Sequence, residues 1–224
     1  MNIVITGCSK GIGFELAKKL SKNHNIFGLS RDEEQLNRLK KEVDFSDNLK
    51  LHAGDVCTIS ESDVNDWVNC KGVDVLINNA GFLVNKPFED VTYDDFKKTM
   101  DVNLWGAVNM SKILLNKLKS NAGQIVNIGS VGGVNYSSKY SGLSLYSSSK
   151  GALTILSECL AEELDVKVNV LALGAVQTEM LSKAFPGYNA DVKPSEMADY
   201  IVDFIENGSK MLNGQIIKVT KSNP

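Results

Sequence analysis

The sequence has little of what a metal site or a disulfide scaffold requires. Two histidines and four cysteines are scattered over 224 residues. Cys8, Cys57, Cys70 and Cys159 make no C-x-x-C pair and no metal-ligand spacing with His24 or His52, so no metal is expected. The thiols read as reduced, in a cytoplasmic protein. No apolar stretch is long enough to span a bilayer. The N-terminus opens on a core-like strand, without the basic flank or cleavable apolar segment of a signal peptide. A surplus of charge is also absent. The 24 Lys and Arg against 27 Asp and Glu leave −3, which gives no electrostatic case for nucleic acid or an anionic membrane. There is no repeat, linker or low-complexity tract. What is present, 43% hydrophobic and 23% charged residues, is ordinary for a globular chain forming one domain over residues 1–224.

Apolar runs and amphipathic stretches alternate. Strands are predicted at Ile3–Thr6, Ile26–Ser30, Lys50–His52, Val73–Asn78, Gly123–Ser130, Lys167–Leu173 and Gln215–Val219. Helices are predicted at Ile12–Lys22, Glu33–Glu42, Glu61–Asn69, Tyr93–Lys119, Leu143–Leu164 and Pro194–Asn207. This alternation implies an α/β fold, a parallel sheet of about seven strands with helices on both faces. A ligand crevice then belongs at the carboxyl ends of the strands, where Gly7, Arg31, Asp55, Asn78, Ser130 and Gly174 fall.

Two motifs carry chemistry. In YSSSK, Tyr146 and Lys150 lie one helical turn apart on one face. An ammonium beside a phenol is expected to lower its pKa toward working pH and make it a general acid/base. The second motif is TGCSKGIG, between the first strand and the first helix. There Gly7 permits a tight turn, Gly11 lets the backbone approach a pyrophosphate at the helix N-terminus, and Gly13 allows close packing of helix on strand.

With its G-x-x-x-G-x-G spacing, the chain resembles the short-chain dehydrogenase/reductase family over nearly its whole length. The resemblance also rests on Gly54-Asp55-Val56, on Asn78-Asn79-Ala80-Gly81, on Asn103 in DVNLWG, on Ser130 ending IVNIGS and on YSSSK. It implies a single-domain, doubly wound Rossmann-type fold. It implies a catalytic set of Asn103, Ser130, Tyr146 and Lys150, with Asn103 holding a water that links Lys150 to solvent. Cofactor contacts carried over in the same way are Gly7, Ser9, Lys10, Gly11, Ile12, Gly13, Ser30, Arg31, Asp55, Val56, Asn79, Ala80, Gly81, Gly174, Val176 and Thr178, with Tyr146 and Lys150. The chain departs from the family in a longer Ser130 to Tyr146 interval, placed at Asn135 to Gly142, and in Leu173-Gly174 where the family has Pro-Gly.

The second strand ends in Ser30 where an NAD enzyme of the family has Asp, and Lys10 and Arg31 stand near it. Two cations suit a phosphate dianion, so NADP(H) is favoured over NAD(H). The expected reaction is reversible reduction of a ketone or aldehyde by hydride transfer, with a small-molecule substrate under a short loop at about 179–193. A 3-oxoacyl-thioester reductase is the alternative within enzymes, and a non-catalytic NADP(H)-binding regulator or scaffold the alternative outside them. Helices of the Tyr93–Lys119 and Leu143–Leu164 type pack across two-fold axes in the family, which implies a homodimer or homotetramer.

Overall fold

The computed structural model describes residues 1–221; residues 222–224, the end of the expected domain, lie outside the description. Seven strands form one parallel sheet: β1 (Asn2–Thr6), β2 (Asn25–Ser30), β3 (Leu49–Ala53), β4 (Val75–Asn78), β5 (Gln124–Ser130), β6 (Lys167–Leu173) and β7 (Ile216–Val219). Their order is β3-β2-β1-β4-β5-β6-β7. The chain winds outward from β1 to β3, then returns to the other side of β1 and winds outward again. The reversal lies between β1 and β4, paired Ile3↔Val75 through Ile5↔Ile77. Beyond their last residues the two connecting loops must separate, which opens a crevice.

The strands are apolar because both faces are covered. Side chains alternate across the sheet. Ile3 and Ile5 enter one layer with Leu16, Leu20, Ala198 and Ile201. Val4 enters the other with Val64, Met110, Leu114 and Leu118. The first layer is thus built from α1 (Gly11–Leu20), α2 (Glu33–Glu42) and, later in the chain, α8 (Pro194–Glu206). The second holds α3 (Glu61–Trp67) and α5 (Gly106–Ser120). Helix starts are marked by side-chain caps: Asp32 accepts from Gln35 N at 3.1 Å, and Ser60 and Thr92 form boxes with Asp63 and Asp95.

One predicted helix is corrected. Tyr93–Lys119 is not continuous: α4 (Tyr93–Met100) runs into a five-residue π-helical turn, Asp101–Trp105, before α5. The turn is wide because Gly106 N–H reaches back five residues to the Asp101 carbonyl. Gly106 itself sits hard against Val56, where a Cβ would come within 2.6 Å of a valine methyl. The widened turn places Asn103 inward, almost fully buried. No helix among the described residues is long and apolar enough to cross a membrane.

Candidate active site

The carboxyl ends of the strands open into a cleft of about 880 Å³. Of the residues expected in the site, all line it except Gly13 and Asn103, which stand directly behind its wall. At the reversal point the loops after β1 and β4 are stitched together. The Thr6 hydroxyl accepts from the backbone N–H groups of Asn79 and Ala80, both at 3.0 Å. The Asn79 amide donates to the Thr6 and Gly7 carbonyls at 3.0 Å. This close approach explains the first glycine. Gly7 has φ +71°, and a Cβ there would lie 2.8 Å from Ala80 Cα. Gly13 is required by packing: a Cβ would be driven into the Gly7 carbonyl oxygen.

The N-terminus of α1 faces the cleft through Gly11 and Ile12, with no side-chain cap and no acid in its first turn. Its free N–H groups and dipole suit an anion. At the end of β2, Ser30 Oγ donates to Ser9 Oγ at 2.7 Å. Lys10 lies 3.8 Å from Asp32 and 3.5 Å from Glu179. Arg31 lies 3.8 Å from Asp55, whose carboxylate also accepts from Cys57 N at 2.9 Å. Each cation expected to face a phosphate therefore has a carboxylate beside it. Cys8 is fully buried below this loop, and burial pushes its thiol up to about 12, so it is an inert filler against Gly28.

On the opposite wall, α6 (Ser144–Glu163) carries Tyr146 and Lys150 in its first two turns, beside Ser130 at the end of β5. The Lys150 side chain is buried, and its ammonium donates to the Ile128 carbonyl at 2.8 Å. Nζ is 6.0 Å from the centroid of the Tyr146 ring. The expected tuning of the phenol is overturned in direction. Burial pushes Tyr146 up to about 12, offset only in part by the Ser130 hydroxyl beside it, and burial pushes Lys150 down to about 8. The ammonium is tethered to Ile128, and loss of water by both groups outweighs their attraction.

Among the described residues Asn103 makes no hydrogen bond to the side chains of Ser130, Tyr146 or Lys150. Its Oδ1 accepts from Phe82 N at 2.7 Å, and its Nδ2 donates to the Phe82 carbonyl at 2.8 Å and to Ser149 Oγ at 2.9 Å. Ser149 Oγ in turn donates to the Tyr146 carbonyl at 2.8 Å. One amide thus ties the loop after β4 to the turn of α6 that bears Tyr146. Ser149 was not legible, because it sits in a run of three serines with nothing in sequence to separate them.

The far end of the cleft is covered by α7 (Glu179–Ala184), which Thr178 caps by accepting from Leu181 N at 3.2 Å. Met180, Leu181, Phe185 and Tyr188 line it, with Phe82, Leu83 and Val131 opposite. The longer segment before α6 contributes Tyr140. A clasp absent from the sequence reading closes this end: Asn85 Nδ2 donates to the Ala184 carbonyl at 2.6 Å, and Lys86 N to the Gly142 carbonyl at 3.1 Å.

The profile of the short chain dehydrogenase family matches residues 1–189. The chain belongs to the short-chain dehydrogenase/reductase family. It is 36% identical over 194 residues to the NADPH-dependent pterin aldehyde reductase of Arabidopsis thaliana, covering 82% of this chain and 78% of that one. It is 27% identical over 236 residues to the 3-oxoacyl-[acyl-carrier-protein] reductase of Aquifex aeolicus, covering 96% and 94%. The crystal structure of 3-ketoacyl-(acyl-carrier-protein) reductase from Brucella melitensis complexed with NADH superposes with a TM-score of 0.86 at 25% identity, over 98% of this chain and 96% of that one. This short-chain dehydrogenase/reductase is an oxidoreductase, and its seven-stranded parallel sheet is the architecture of its relatives.

Proposed function

We propose that the protein reduces a ketone or aldehyde to an alcohol, reversibly, with NADP(H) as the hydride carrier and Tyr146 as the general acid/base. The observation that carries the reading is one cleft with two chemically different ends. One end offers the uncapped N-terminus of α1 with Ser9, Lys10, Ser30 and Arg31 around it, and the other offers Ser130, Tyr146 and Lys150. A pyridine dinucleotide fits this donor set. The α1 terminus and glycine loop suit a pyrophosphate. Lys150 spends one of its three donors on Ile128, which leaves others for ribose hydroxyls. Lys10 and Arg31 suit a 2′-phosphate. The bound nicotinamide supplies or accepts the hydride.

The chain's own residues handle the proton. At neutral pH the Tyr146 phenol carries its proton, which it can give to the carbonyl oxygen as the hydride arrives. Ser130 holds the carbonyl oxygen beside that proton. Asn103 fixes the placement of both walls through Phe82 and Ser149. Phe82, Leu83, Met180 and Phe185 exclude water from the substrate end. The NADPH dependence of the Arabidopsis relative supports the cofactor preference. The test is NADPH oxidation with a panel of ketones, aldehydes and 3-oxoacyl thioesters. Turnover of at least one carbonyl is expected, and Tyr146→Phe is expected to cut it about 10²–10⁴-fold with nucleotide affinity nearly intact. Binding of NADPH without turnover of any member, or a Tyr146→Phe variant as active as wild type, would overturn the reading.

A further inference from the structure

The first residue of the covering helix α7, Glu179, reaches across the cleft mouth to Lys10 on the glycine loop, at 3.5 Å. Both side chains remain substantially in water, 43% exposed for Lys10 and 61% for Glu179. Lys10 has a second carboxylate, Asp32, at 3.8 Å. The two acids differ in their other duties. Asp32 caps α2 through Gln35 N, whereas Glu179 makes no other ion pair or side-chain hydrogen bond among the described residues. Beyond that pair it is a favourable charge in the first turn of α7 and attracts Arg38 on α2.

We propose that Glu179 is a specificity-determining residue that sets how strongly the protein favours a 2′-phosphorylated dinucleotide, by competing with that phosphate for Lys10. This rests on the NADP(H) reading above and deepens it. An ammonium 3.5 Å from a carboxylate must leave it, or share itself, to face a phosphate dianion. That exchange discounts the gain from the phosphate. A dinucleotide lacking the 2′-phosphate leaves the Lys10–Glu179 pair undisturbed and suffers no such discount. The acid therefore narrows the gap between the two nucleotides, and it does so through Lys10, the cation it pairs with directly, rather than through the more distant Arg38. Because the pair is exposed, the discount is small: removing it is worth about two- to fivefold in affinity at low salt.

The experiment uses nucleotide fragments without the nicotinamide, 2′-phospho-ADP-ribose and ADP-ribose, titrated calorimetrically into wild type, Glu179→Gln, Lys10→Ala and the double variant. Glu179→Gln is expected to tighten the phosphorylated probe about two- to fivefold and to leave ADP-ribose nearly unchanged. In the Lys10→Ala background the same substitution is expected to do nothing, since coupled residues are not additive. The gain is also expected to shrink as salt is raised from 20 mM to 300 mM, a probe range chosen to span the screening length. If wild type prefers the phosphorylated probe but Glu179→Gln leaves the preference unchanged, the competition is overturned and the cofactor reading stands. A gain that persists without Lys10 also overturns it, because the acid then acts only as a general negative charge. Equal affinity of wild type for both probes removes the phosphate preference, and the proposal with it.

Discussion

Replacing Lys150 by methionine is expected to make the ligand-free protein more stable. Lys150 is 3% exposed, and its ammonium is held by the Ile128 carbonyl, with no ion-pair partner among the described residues. Its pKa falls from the ordinary 10.5 to about 8, and a change of that size corresponds to about 3 kcal/mol of unfavourable burial at neutral pH. The lost bond to the Ile128 carbonyl returns about 1 kcal/mol of that. The net gain is about 2 kcal/mol, or about 4–8 °C in Tm for a chain of this size. The pH dependence has a definite sign. Between about 8 and 10.5 the unfolded chain holds a lysine proton that the folded protein has released, so wild-type stability rises with pH across that window. Tyr146 acts the other way from 10 to about 12, where the folded protein keeps a proton that the unfolded chain loses. Thermal unfolding without nucleotide, at pH 7 and pH 9.5, measures the effect. The variant should melt higher at pH 7, and its advantage should shrink at pH 9.5. A variant less stable than wild type at pH 7, or an advantage that ignores pH, would refute the argument from burial. Under the proposed function the same lysine faces the dinucleotide ribose, so the gain in stability should come with loss of nucleotide affinity.

Three further outcomes are expected. Arg31→Ala should weaken NADPH binding several-fold while leaving NADH nearly unchanged, as fluorescence titration would show; equal losses for both would remove Arg31 from phosphate recognition. Asn103→Ala strips partners from the Phe82 N–H and carbonyl and should cost about 2–3 kcal/mol in denaturant unfolding, with turnover falling as the Tyr146 turn loosens. Gly13→Ala forces a methyl group against the Gly7 carbonyl and should cost about 1–3 kcal/mol while weakening nucleotide binding, both measurable on the purified variant.

The sheet was legible because each strand is a short apolar run between loops, and buried parallel strands need little else. Gly123–Ser130 and Lys167–Leu173 were placed within a residue of β5 and β6. The cleft residues were legible because glycines, Tyr146 and Lys150 are constrained in type as well as in spacing. What escaped was whatever depends on distance across the fold. The break at Asp101–Trp105 leaves the periodicity of the flanking helices almost undisturbed, so the sequence shows one helix. The short α7 hides within a loop because six residues give no period to read. The Tyr146 pKa went the wrong way because spacing reports who is near, and burial decides how much water is lost. The Asn85–Ala184 clasp joins residues 99 apart, which no local pattern can announce.

The central place of β1 bears on how the chain is made. The first 53 residues contain β1, β2 and β3, which are neighbours in the sheet and can pair as soon as they leave the ribosome. The other edge of β1 waits for β4, which ends at Asn78. Until then Ile3, Val4 and Ile5 present unpaired backbone on an apolar strand, the kind of edge on which nascent chains stick together. A delay in synthesis when only β1, β2 and β3 have emerged from the ribosome should therefore favour aggregation more than the same delay once β4, β5 and β6 have emerged to extend the sheet.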